Sequence, residues 1–188
     1  MSRLAQLYPD RVIVAVTGTV KEQEVLQQDV ETWLARGGAG RKAWYYPSWE
    51  VLPNDTRLPH ADVISERLET LLALAGKNGP PPLVMASGVA LLQKTFSPEA
   101  LSARKRDLAK GDTIEPLDLV EWLEEQGYEP EAQVNHKGEI ALRGGILDIF
   151  PLTSPWPVRL EFFGNELESL RYFDPIDQRS REPIERYT

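Results

Sequence analysis

Val158-Arg159-Leu160-Glu161-Phe162-Phe163 alternates apolar and polar side chains with period two, as a strand with one buried face does. Val158, Leu160 and Phe162 form the apolar face. Phe163 falls with Arg159 and Glu161 on the other, where its own core has no use for it; such a position suits a surface that another protein covers. Three further strands are predicted around it, at 139–142 after the Asn-His-Lys-Gly turn, at 145–150, and at 168–173 after the two-residue hairpin signal Gly164-Asn165. A helix over 116–126 precedes them, with Leu117, Val120 and Leu123 on one face, Pro116 at its start and Gly127 at its end. This half of the chain predicts an α+β unit with an antiparallel sheet.

The first hundred residues follow a different rhythm. Residues 11–17 are a β-branched apolar run, the pattern of a parallel strand covered on both faces. Thr19 is placed to cap a helix in which Val25, Leu26, Val30, Trp33 and Leu34 recur at helical spacing, with Gly37 and Gly38 as its stop. Strand 43–46, an irregular loop over 47–55, a helix from about Ala61 to Ala75, strand 83–86 and a short helix over 88–94 complete a βαβαβ order. That order predicts a three-layer α/β arrangement with parallel strands. Two domains are therefore expected, 1–103 and 104–188, with no internal repeat.

Charge and chemistry narrow the function more by exclusion than by motif. The 188 residues carry a net charge of −8, are 41% hydrophobic and 27% charged, and contain no Cys. Zero Cys means no disulfide framework, and with no secretory signal or run of about 18 apolar residues it sets the expectation of a cytoplasmic protein with no membrane partner. The one dense basic run, Arg104-Lys105-Arg106, is followed at once by Asp107, which argues against nucleic-acid binding by this piece alone. Gly37-Gly38-Ala39-Gly40-Arg41-Lys42 follows a helix and precedes a strand, so it reads as a helix stop and flexible connector instead of a phosphate loop. His60 and His136, the only histidines, stand far apart, leaving no metal site and no base for a nucleophilic triad. The acidic pairs Glu22/Glu24, Glu124/Glu125 and Glu166/Glu168 read as solvated faces. No cofactor, metal or catalytic residue is expected.

Two constellations remain. Trp49-Glu50-Val51-Leu52-Pro53 with the helix 62–68, whose Ser65-Glu66-Arg67 reads as half exposed, favours a structural role. The other is the face of Arg143, Arg159, Glu161 and Phe163, joined by Glu139 and Ala141. Two readings of it balance on pattern alone. One is a solvated face with cross-strand Arg–Glu pairs; the other is a binding hot spot in which a carboxylate orients an Arg beside an aromatic.

Read together, a series of motifs resembles the N-terminal region of the bacterial transcription-repair coupling factors (the Mfd family), itself similar to the excision-repair protein UvrB. The series is Pro-Ser-Trp-Glu-Val-Leu-Pro, Asp-Val-Ile-Ser-Glu-Arg-Leu, Leu91-Leu92-Gln93-Lys94-Thr95, Lys110-Gly111-Asp112, Arg143-Gly-Gly-Ile-Leu-Asp-Ile-Phe-Pro, Val158-Arg-Leu-Glu-Phe-Phe-Gly and Phe173-Asp-Pro-Ile-Asp-Gln-Arg-Ser. It covers nearly the whole chain in order. The passage from Trp49 to the Asp62 helix without a long Tyr-rich hairpin favours the coupling factors over UvrB. The resemblance implies a degenerate helicase-like domain (1a) up to about 103 and, from about 104, a domain 2 that binds UvrA. It places UvrA contact on Arg143, Arg159 and Phe163, with Glu161 between the last two.

Departures from the family are also visible. The strand and Gly-rich turn usually found ahead of Arg11 are missing, Asn54 stands where many members have Tyr, and the ATPase motor and RNA-polymerase-binding parts are absent. A cut fragment and a short stand-alone paralogue fit equally. Either way, the expectation is a non-catalytic module that recruits UvrA in nucleotide excision repair, meeting RNA polymerase and DNA only through missing parts of a longer parent. A UvrB-like ATP-dependent DNA-damage-handling fragment is the alternative, and a remnant without a partner is a third possibility.

Overall fold

The computed structural model describes residues 2–36, 41–51, 59–76 and 79–188. The helix stop assigned to Gly37 and Gly38 and the position of Asn54 lie outside them. Two compact units divide the chain, Met1–Leu101 and Ser102–Thr188.

The first unit runs α1 (Ser2–Leu7), β1 (Ile13–Thr17), α2 (Val20–Ala35), β2 (Ala43–Tyr46), α3 (Ala61–Ala75), β3 (Leu83–Ser87) and α4 (Gly88–Leu92), and α5 (Pro98–Ser102) ends at the boundary. Its three strands are parallel in the order β1-β3-β2. β3 lies in the middle and is buried along its whole length. One side packs Ala43, Leu83 and Met85 against Val30, Leu26 and Trp33 of α2. The other gathers Tyr46, Val84 and Ala86 beneath Leu71 of α3. β1 corrects an expectation: it is an end strand, and Val14 and Val16 on its α3 side stand exposed. A continuous apolar run does not distinguish a strand covered twice from one covered once.

Thr19 does cap α2, and the capping box closes with Glu22. The Glu22 carboxylate accepts from the amides of both Gly18 (3.1 Å) and Thr19 (3.2 Å), filling the turn between β1 and α2.

Ser65 and Arg67 are buried, contrary to the half-exposed position predicted for them. The Arg67 guanidinium lies between the Tyr46 and Trp49 rings, 4.2 Å from each, and donates to the Pro47 carbonyl (2.6 Å) and the Tyr46 hydroxyl (2.7 Å). A long cation can be buried this way because flat aromatic faces and oxygen acceptors together replace its water. Arg41, at the end of the glycine-rich run, is likewise buried instead of mobile, donating to the carbonyls of Pro81 and Arg11 at 2.8 Å each.

The second unit continues with β4 (Leu108–Ala109), α6 (Pro116–Glu125), β5 (Glu129–Pro130), β6 (Glu139–Arg143), β7 (Ile146–Ile149), β8 (Val158–Phe163), β9 (Glu166–Phe173), β10 (Ser180–Ile184) and β11 (Arg186–Tyr187). Six strands form one sheet in the order β10-β9-β8-β7-β6-β5, antiparallel except for the short β5–β6 pair. β4 and β11 form a separate two-stranded ladder. Leu119 and Leu123 of α6 pack with Ile140, Leu147, Leu160, Leu170 and Phe162 into the main core of the unit. The Gly164-Asn165 hairpin is present, and of its two loop residues only Gly164 takes a positive φ, as a type II′ turn requires.

Tyr187 packs edge-on against Tyr172, and burial pushes its phenol up to about 12. The folded chain keeps this proton where the unfolded chain, titrating near about pH 10, releases it. Stability linked to Tyr187 is therefore complete below about pH 10 and lost as pH rises through about 12. The difference between urea melts at about pH 9 and about pH 11 should be smaller in Tyr187→Phe than in the wild type. An equal loss in both proteins would count against the assignment.

Candidate functional site

Cross-strand pairing fixes which side chains share a face. Arg143 opposes Ile146, which opposes Glu161, which opposes Ser169. One register step along, Ala141 opposes Asp148, Asp148 opposes Arg159, and Arg159 opposes Arg171. All of these stand on the side of the sheet away from α6, and the alternation of β8 puts Phe163 there too. The four residues singled out in the sequence thus lie on one face.

That face is not uniformly open. Ala141 is buried with Val134, Phe150 and Phe173 in a second, smaller core. Toward the Gly144-Gly145 and Gly164-Asn165 turns the cover ends, and Phe163 stands 75% exposed. Gly145 lets these strands close tightly at this end: the Phe162 amide donates to its carbonyl at 2.7 Å, and a Cβ there would meet the Phe162 carbonyl oxygen at 2.6 Å.

Asp148 sits at the boundary between the two zones and is fully buried. Its Oδ1 accepts from Arg159 Nε (2.7 Å), and its Oδ2 accepts from Arg159 (2.8 Å) and Arg143 (2.7 Å). One buried carboxylate therefore holds both arginines. Its hydrogen bonds keep the Arg159 guanidinium more firmly protonated, outweighing burial. The arginines differ in access: the Arg143 side chain is 48% exposed and that of Arg159 only 14%. Arg159 is covered by Gln178 and stacks over the Phe173 ring at 4.5 Å, so of the two arginines expected to meet a partner only Arg143 stands open.

Glu161 has a different role from the one predicted. It pairs with Arg171 and accepts from the Ser169 hydroxyl (2.7 Å), instead of orienting Arg143 or Arg159. The Ser169 bond is the leading cause that lowers its carboxyl below the usual range. The division has an electrostatic reason. Arg159 and Arg171 face each other directly across β8 and β9, a repulsive arrangement unless each has its own anion. Asp148 serves one and Glu161 the other.

Sequence reasoning missed Asp148, Arg171 and Gln178. The first left a signal, since an acid in the middle of Ile-Leu-Asp-Ile is out of place in a buried strand unless a cation reaches it. Among the described residues, no cluster of three or more acidic or histidine side chains is placed to hold a metal, and no helix is long and apolar enough to cross a membrane.

Residues 107–188 match the family model of the UvrB interaction domain. Over nearly its full length the chain is also similar to proteins named transcription-repair-coupling factor. The match is 36% identical over 181 residues in Mycobacterium bovis, covering 94% of this chain, and 32% over 176 residues in Bacillus subtilis, covering 93%. In Escherichia coli it is 38% over 137 residues, covering 73% of the chain. The chain is a homologue of the transcription-repair-coupling factors. It spans only 12–14% of the length of these relatives. The Arg143–Asp148–Arg159 cluster and Phe163 all lie within the stretch that matches the UvrB interaction domain.

Proposed function

We propose that residues 102–188 form a non-catalytic docking module that recruits UvrA in nucleotide excision repair, through the open end of the sheet face described above. Residues 1–101 are then a helicase-like remnant, and any encounter with RNA polymerase or DNA belongs to further segments of a longer parent. The observation that carries this reading is the geometry around Asp148: a buried carboxylate fixes two guanidinium groups on the same side as a benzyl ring left in water. Fixed cations beside an exposed aromatic lose little conformational entropy when a partner covers them. Phe163 would fill an apolar pocket, Arg143 would meet an acidic group directly, and Arg159 would act from beneath as a preset charge. Glu161 contributes by fixing Arg171.

The β1–α2 turn offers no substitute phosphate site for the nucleotide-dependent alternative, because its amides already donate to the Glu22 carboxylate.

Titration of UvrA with the whole chain tests the proposal. Arg143→Ala leaves Asp148 its two bonds from Arg159, so the melting curve should change little while Kd rises at least about tenfold. Failure of the wild-type chain to bind UvrA, or an unchanged Kd in this variant, would refute it.

A further inference from the structure

Gln178 takes a φ of 60°, a left-handed conformation that disfavours any residue with a Cβ and that glycine adopts freely. It stands in the turn from β9 to β10, where its amide donates to the Asp174 carbonyl at 2.8 Å. A strained position held by a long polar side chain calls for a reason beyond the turn itself. The side chain supplies one. Its Oε1 accepts from Arg159 (3.3 Å), and its Nε2 donates to the carbonyls of Pro175 (2.8 Å) and Val134 (3.4 Å). Its backbone carbonyl, 3.5 Å away, accepts from the other terminal nitrogen of Arg159.

We propose that Gln178 is a positioning residue for partner binding: it closes over Arg159 from above and keeps the guanidinium locked onto Asp148. The inference rests on the docking function proposed above. Asp148 takes two of the five N–H donors of Arg159, and Gln178 takes two more, one through its side chain and one through its backbone carbonyl. With Gln178 in place, the cation has oxygen partners on both flanks and the Phe173 ring beneath it. Without the side chain, the Arg159 nitrogen shared with Asp148 loses its second acceptor while the backbone carbonyl at 178 stays, and the arginine regains part of the rotamer freedom that binding must remove again. A glycine would suit the backbone better; against that strain the glutamine side chain sets its contact with Arg159 and its bonds to the Pro175 and Val134 carbonyls.

Gln178→Gly in the whole chain separates positioning from fold maintenance. The variant relieves the strained φ, so its melting temperature should stay within about 3 °C of wild type while Kd for UvrA rises about five- to tenfold. In the free protein, exchange of the Arg159 Nε proton, followed by NMR, should accelerate. Gln178→Glu, which keeps an acceptor for Arg159 but loses the donations to Pro175 and Val134, should restore part of the affinity and slow that exchange again. Unchanged Kd and unchanged exchange in Gln178→Gly would overturn the inference while leaving the docking function standing. So would a fall in melting temperature of more than about 5 °C in step with weaker binding, because Gln178 would then be holding the fold. Absence of UvrA binding by the wild type would instead remove the docking function, and the exchange measurement would still decide whether Gln178 locks Arg159.

Discussion

Asp148→Asn is expected to destabilise the second unit by about 3 kcal/mol, the lower end for breaking a buried ion pair by removing one partner. For a unit of this size, each kcal/mol shifts the melting temperature by roughly 4–8 °C, so calorimetry should show a fall of more than about 10 °C. The substitution preserves shape and removes charge. A neutral amide offers one oxygen where three short hydrogen bonds now converge, and its NH2 group would face a guanidinium. Arg159, with little access to water, is left as a buried cation short of an anion. UvrA binding should be lost with the order of the two arginines. A melting temperature within about 3 °C of wild type, with UvrA still bound, would show that the cluster is not held by this carboxylate.

Phe163→Ala should have the opposite profile. The ring is exposed in the free chain, so truncation removes no core contact and the melting curve should not move by more than a surface substitution moves it, about 0.5 kcal/mol. The full effect should appear on binding. Aromatic anchors at the centre of an interface contribute about 2 kcal/mol or more, which predicts a Kd at least about 30-fold higher, or loss of UvrA in a pull-down. Such a difference between stability and affinity separates a docking residue from a structural one. An unchanged Kd would mean that the ring is covered by something other than UvrA, or by nothing.

How much of this was legible in the sequence depended on whether the decisive contact was local. β8 and α3 were read to the residue, because strict alternation and helical spacing are properties of a segment by itself. The apolar face of β8 and the exposure of Phe163 followed from the same periodicity. The partners of the charged residues did not. Which carboxylate serves Arg159 depends on register: Asp148 stands directly opposite it, while Glu161 is two positions along its own strand and is taken by Arg171. Arg67 was misjudged for a related reason. Its surroundings, Tyr46 and Trp49, come from other segments, so nothing on its own helix announces burial. The short strands β5, β10 and β11 escaped because two to five mostly polar residues carry no usable period, and pairing alone creates them.

The capping box of α2 also decides what the first turn of the unit can accept. In an α/β sheet, the turn leading from a strand into a helix is where backbone donors usually wait for a charged guest. Here the chain seats one of its own side chains in that place, so any phosphate would have to evict a resident carboxylate before meeting an amide. Glu22 makes this turn a sealed joint, and the helix gains its start from the closure.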